Sequence, residues 1–103
     1  MTVRFHPDAA AELDAAAEWY ENEQPALGEV FLTEIFRAAA AIEESPSAWA
    51  TFGKSRRVRR FVLARFPFAI LYQLDGSSVV ILAIAHTRRR PNYWRARRLP
   101  GAR

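Results

Sequence analysis

Phe66-Pro67-Phe68-Ala69-Ile70-Leu71-Tyr72-Gln73-Leu74-Asp75-Gly76-Ser77-Ser78-Val79-Val80-Ile81-Leu82-Ala83-Ile84-Ala85-His86 is the stretch that decides the fold of this chain. Two runs rich in β-branched and aromatic residues flank Asp75-Gly76-Ser77-Ser78, a composition that favours a tight hairpin turn. The second run, Val79 to Ala85, has no polar interruption, as expected of a central strand covered on both faces. Pro67 has no amide hydrogen to give to a ladder, so it predicts an edge position or a bulge at that point. Arg56 to Leu63 reads as one more strand before the hairpin. Three sequential strands with short connections make an antiparallel meander.

Working back toward the N-terminus, the period changes from two to 3.6. Leu27, Phe31, Ile35, Ala38, Ala39 and Ile42 mark one face of a helix that Pro46 ends. Ala9, Leu13, Ala16, Ala17 and Tyr20 mark an earlier helix, with Pro7 at its first position and a stop near Glu23-Gln24-Pro25. Asp8 and Glu12 sit at the end of that helix where carboxylates complement the dipole. A short Pro-containing turn between the two predicts an antiparallel helical hairpin. Thr2-Val3-Arg4-Phe5 is a short first strand, and Trp49 and Phe52 are read as loop residues capping the core. The expected fold is α+β with order β-α-α-β-β-β: an antiparallel meander covered on one face by the helical hairpin. Periodicity does not say where the first strand inserts.

A chain of 103 residues supports a single domain, 1–103, around one modest core. Half the residues are hydrophobic, which argues against disorder. There is no cysteine, so disulfides and thiolate metal sites are excluded, and His6 and His86 form no zinc pattern. No metal and no cofactor are expected. The start lacks a signal-peptide pattern and no apolar run is long enough for a membrane span, so a cytoplasmic location is expected. Charge is sharply segregated. Residues 1–53 carry two bases against ten acids, and residues 54–103 carry thirteen bases against Asp75 alone. A surface with that excess attracts nucleic acid or an acidic protein segment.

The chemistry-bearing residues lie in the basic half. Lys54-Ser55-Arg56-Arg57-Val58-Arg59-Arg60 leads into a strand whose alternation sends Arg57 and Arg59 to one face and Arg56 and Arg60 to the other. Arg65 precedes Pro67, where a bulge would re-aim it into a cleft. Past Ala85 come His86, Arg88, Arg89, Arg90, Tyr93 and Trp94, all just beyond a rigid strand. His86 has the side chain suited to proton transfer near neutral pH. Arginines stabilise a developing phosphorane charge, and Tyr93 or Trp94 can stack a splayed base. Each has a plainer reading: His86 as a polar strand end, Tyr93 and Trp94 as pins holding the C-terminal segment on the core, and the basic tail from about 95 to 103 as solvated.

Trp19-Tyr20-Glu21, the Pro46 stop, Arg60 through Arg65-Phe66-Pro67-Phe68-Ala69-Ile70-Leu71-Tyr72, and Ala83-Ile84-Ala85-His86-Thr87-Arg88-Arg89-Arg90-Pro91-Asn92-Tyr93-Trp94 together resemble the RelE/ParE toxin superfamily of type II toxin–antitoxin systems. The resemblance spans residues 2 to about 97, and the β-α-α-β-β-β order agrees with that family's fold. It implies a small toxin neutralised by a cognate antitoxin. RelE-like members cut mRNA on the ribosome, and ParE-like members poison DNA gyrase. The resemblance then implies metal-independent catalysis by His86, Arg65, Arg88 and Tyr93 if RelE-like. It implies target or antitoxin binding by Arg57, Arg59, Arg60, Arg89, Arg90 and Trp94. The long helical hairpin and the scarcity of lysines favour the ParE-like branch. A non-toxic nucleic-acid-binding module is the alternative from another class.

Overall fold

The computed structural model describes residues 2–54 and 56–97. Six elements follow in the order β1 Thr2–Phe5, α1 Pro7–Glu23, α2 Leu27–Glu44, β2 Arg59–Val62, β3 Phe68–Asp75 and β4 Ser78–His86. The four strands form one sheet in the order β1-β4-β3-β2. The meander β2-β3-β4 is antiparallel, as the sequence predicts. The first strand joins at the far side, parallel to β4, with Thr2 opposite Ser78 and Phe5 opposite Ile81. That placement puts the apolar run of β4 in the sheet interior.

Two bounds differ from the sequence reading. The strand expected from Arg56 starts at Arg59, so Arg56 and Arg57 lie in the bend before it and do not alternate across a sheet. The strand expected from Phe66 starts at Phe68, and Pro67 lies outside it in the β2–β3 connection. A ring nitrogen cannot donate to a ladder, so the chain turns there instead. The Phe68 amide donates to the Phe66 carbonyl across Pro67 (2.8 Å). The sheet does carry an irregularity, but elsewhere: Leu71 pairs with Ala83 and Tyr72 with Ile81, leaving Leu82 as the extra residue of a β-bulge. The bulge turns Leu82 and Ala83 to the same face of the sheet.

The helical hairpin covers one face. Ala9, Leu13 and Ala16 of α1 and Phe31, Ile35, Ala38, Ala39 and Ile42 of α2 pack with Ile70, Tyr72, Val79, Ile81 and Ile84. Small side chains let the helices approach closely, and at Gly28 they leave no room for a side chain: a Cβ there would lie 2.6 Å from the Ala17 carbonyl oxygen. Glu21 holds the corner, accepting from the amides of Ala26 (2.9 Å) and Gly28 (3.0 Å). These are the orphan donors that begin α2. His6 does the same for α1, its Nδ1 accepting from the Asp8 amide at 3.0 Å. The opposite face of the sheet is covered without a helix. Val58, Ala69, Leu71, Val80, Leu82, Ala83 and Ala85 form a second cluster with Trp94, flanked by Phe52 and Tyr93. Trp49 instead packs on Phe61 at the helical side (4.7 Å between ring centroids).

Candidate interaction site at the end of β4

Strand β4 delivers its last residue, His86, into a turn-rich segment, 87–97, that folds back over the second face. Three contacts fix the start of that segment. The Thr87 amide donates to the Pro67 carbonyl (2.8 Å), the Arg88 amide to His86 Nδ1 (3.1 Å), and the Arg89 amide to the His86 carbonyl (2.9 Å). With Nδ1 accepting, the neutral ring carries its proton on Nε2. The ring stands edge-on to Phe68 with 5.1 Å between centroids. His86 thus acts first as a turn cap, and the lone pair that would serve a general base is already occupied.

The other residues expected in a catalytic group are held apart. Arg65 is tied to α2, its Nε donating to Glu34 Oε1 (2.9 Å) and its amide to Glu34 Oε2 (3.2 Å). Tyr93 donates its hydroxyl to Glu12 Oε2 of α1 (2.7 Å). Its ring is flanked by the guanidinium groups of Arg89 (4.0 Å) and Arg97 (5.1 Å). Burial first, then the bond to Glu12, pushes the Tyr93 phenol far above its ordinary pKa. Among the described residues no hydrogen bond links Arg65, His86 and Tyr93 to one another, and Arg88 meets His86 through its backbone amide.

The residues expected to bind a partner divide in the same way. Arg59 pins the loop after α2, donating to the carbonyls of Trp49 and Ser47. Arg60 lies over the Phe52 ring (4.8 Å) and Arg89 over Tyr93. Trp94 is only 6% exposed, so it is a pin of the segment rather than an open platform. Arg57 and Arg90 are exposed. Lys54, Arg56, Arg88, Arg90 and Arg95 have no ion-pair partner among the described residues. Lys54 and Arg95 flank a cleft of about 630 Å³ between the Phe52–Lys54 turn and the Asn92–Arg95 turn, with Val58 and Trp94 in its lining. Both turns bend through a left-handed residue, Gly53 (φ 67°) and Asn92 (φ 66°). Of the basic tail, residues 98–103 lie outside the described residues.

Sequence reasoning took Glu12 only as a helix-dipole carboxylate and missed its pairing with Arg97, which forms the most connected polar group among the described residues. Glu12 accepts from the Ile84 amide (3.0 Å), from Tyr93, and twice from Arg97 (2.8 Å each). Arg97 also donates to the Leu82 carbonyl (2.8 Å) and lies near Asp8 (3.7 Å). Burial raises the Glu12 pKa, but the bonds from Arg97, Tyr93 and the Ile84 amide outweigh it and hold the carboxyl below its ordinary range. A depressed folded pKa gives stability that is full above the unfolded value of about 4.3 and fades as pH falls through the folded one. Asp8, His6, Arg89, Arg97 and Tyr93 surround this group. The gap in melting temperature between wild type and Glu12→Gln should therefore be widest near neutral pH and close on acidification below pH of about 4. A gap constant down to pH of about 3 would show that the carboxylate charge contributes nothing.

Among the described residues no cluster of three or more His, Asp or Glu side chains is placed to hold a metal ion. No helix is long and apolar enough to cross a membrane.

A two-helix hairpin on a β1-β4-β3-β2 sheet, with a basic segment folded back from its central strand, is an α+β arrangement shared with known toxins. The chain belongs to the ParE toxin family: the sequence model of that family, described as the ParE toxin of the type II toxin–antitoxin system parDE, matches residues 3–91. Chains of solved structures match as well. One, from the chromosomal ParDE TA system of P. aeruginosa, superposes with a TM-score of 0.67 at 24% identity, covering 84% of this chain and 95% of that one. No curated protein matches the chain.

Proposed function

We propose that the chain acts as the toxin of a type II toxin–antitoxin pair, arresting growth by poisoning DNA gyrase until a cognate antitoxin neutralises it. The observation that carries this reading is the family match, which runs from β1 to the segment beyond β4. The geometry supports the gyrase branch over the mRNA-cleaving one. A nuclease of this kind needs a base, an acid and a cation clamp converging on one phosphate. Here Arg65, His86 and Tyr93 are committed to separate partners. The chain then works as one domain of 103 residues in the cytoplasm, without a cofactor. Its exposed arginines Arg57, Arg88, Arg90 and Arg95 face the target or an acidic segment of the antitoxin. Charge complementarity of that kind raises association rates and excludes wrong partners.

Pulse-labelling of DNA and protein synthesis after induction tests the reading. DNA synthesis is expected to fall first, with cleaved gyrase–DNA complexes accumulating and co-expression of the antitoxin restoring growth. Protein synthesis failing first would move the chain to the mRNA-cleaving branch, and no change in either would remove the toxin reading. His86→Ala is expected to keep full growth arrest, because the ring caps a turn. Loss of arrest in a folded His86→Ala protein would restore histidine chemistry.

A further inference from the structure

Strand β1 ends at Phe5, opposite Ile81, while β4 continues to His86. Among the described residues, no strand neighbours the outer edge of β4 from Leu82 onward, and an open edge is a row of unsatisfied backbone groups. Two side chains fill the gap. Glu12 Oε1 accepts the Ile84 amide as a strand carbonyl would, and Arg97 Nη1 donates to the Leu82 carbonyl as a strand amide would. The two are joined to each other by a pair of parallel bonds of 2.8 Å, the geometry in which guanidinium meets carboxylate best. Their side chains are only 15% and 13% exposed. One member comes from the acidic helix α1 and the other from the end of the segment that carries Arg88, Arg89, Arg90 and Arg95.

Such a pair is a poor way to gain stability, since a hydrophobic filler of the same shape does as well. It is a good way to fix one arrangement, because the fork, the carboxylate and the two backbone groups match in a single register. The buried clusters do not use Glu12: the core under the helices and the Trp94 cluster are both apolar. We propose that Glu12 is a positioning residue of the toxin, acting through Arg97 and Tyr93 to hold the arginine-bearing segment 87–97 in the arrangement that engages the target. The inference rests on the toxin reading above and adds to it a residue in the half of the chain with the opposite charge.

The test uses the full-length chain with Glu12→Ala, and Arg97→Ala as a second variant that leaves α1 untouched. Hydrogen exchange of individual amides and growth arrest on induction are read together. In Glu12→Ala the Ile84 amide is expected to exchange at least about tenfold faster, the equivalent of about 1.4 kcal/mol, whereas Arg97→Ala leaves Glu12 in place to accept from it and removes the donor to the Leu82 carbonyl. The amides of Ile70 and Ile35, inside the core under the helices, are expected to stay as protected as in wild type. Growth arrest is expected to be lost at an expression level that arrests growth with the wild type. In Glu12→Ala, a freed Ile84 amide with arrest intact overturns the inference, as does an Ile84 amide that stays protected, and so does intact arrest in Arg97→Ala. Slowed growth that tracks general loss of core protection in both variants also overturns it, because the role would then be structural. A wild-type chain that arrests nothing removes the underlying reading, and that result is visible before any variant is made.

Discussion

Phe31→Ala is expected to cost about 3–5 kcal/mol, the usual range for emptying a fully buried aromatic site. Phe31 has no exposed surface. Its ring meets those of Tyr20 (5.2 Å), Phe66 (5.1 Å) and Phe68 (5.2 Å), so one side chain of α2 ties together α1, the β2–β3 connection and β3. Tilted and edge-to-face contacts of this kind add to the area they bury. These three rings have few torsions with which to close the hole. Against a total of about 5–15 kcal/mol for a domain of this size, that is a large share of the stability. Urea denaturation checks it, with the midpoint falling and the slope unchanged. A loss below about 1 kcal/mol would mean that the rings collapse into the gap.

Gly28→Ala is expected to destabilise the chain by about 1–3 kcal/mol, as overpacking does. Alanine is the better helix former by about 1 kcal/mol, so propensity alone predicts the opposite sign. The contact decides it. The added carbon would lie 2.6 Å from the Ala17 carbonyl oxygen and 3.1 Å from Glu21 Cβ. The carbonyl belongs to the backbone of α1 and no rotamer moves it, so the two helices must separate. Separation also draws Glu21 away from the amides of Ala26 and Gly28. Thermal melting of the single variant measures the outcome, and a raised melting temperature would show that the hairpin slides at no cost.

The helices were legible in the sequence from their period, and the hairpin from its turn residues and its β-branched and aromatic runs. Phe31, Ile35, Ala38, Ala39 and Ile42 of α2 are buried as the spacing marks, although Gly28 is buried and Leu27 only half-buried, and Gly76 stands at the first position of a two-residue turn with φ 61°. The place of β1 was not legible, since a strand's hydropathy carries no record of its neighbour. The start of β2 was overrun because arginines flank it on both sides, and a basic run looks the same in a bend and in a strand. The pairing of Glu12 was missed because its partners lie at the opposite end of the chain. One signal was present. Between Ala9, Leu13 and Ala16, position 12 adjoins the buried stripe of α1, and an acid there needs a partner. The candidate site suffered from a related difficulty. His86, Arg65 and Tyr93 are the right residue types, but the sequence does not show that Glu34, Glu12 and a turn amide already hold them.

The parallel pairing of β1 with β4 bears on how the molecule comes into being during synthesis. The first strand leaves the ribosome with nothing to pair with, because Val3 waits for Val79 and Phe5 for Ile81. The helical hairpin has its own local contacts and forms early, whereas pairings between the two ends close late, after most of the loop entropy has been spent. Glu12 waits longer still, for Tyr93 and Arg97. A nascent chain that has not yet released its last residues therefore has helices but no closed sheet and no ordered basic segment. The basic segment is ordered last, and a chain interrupted before Ile81 leaves its first strand without a place.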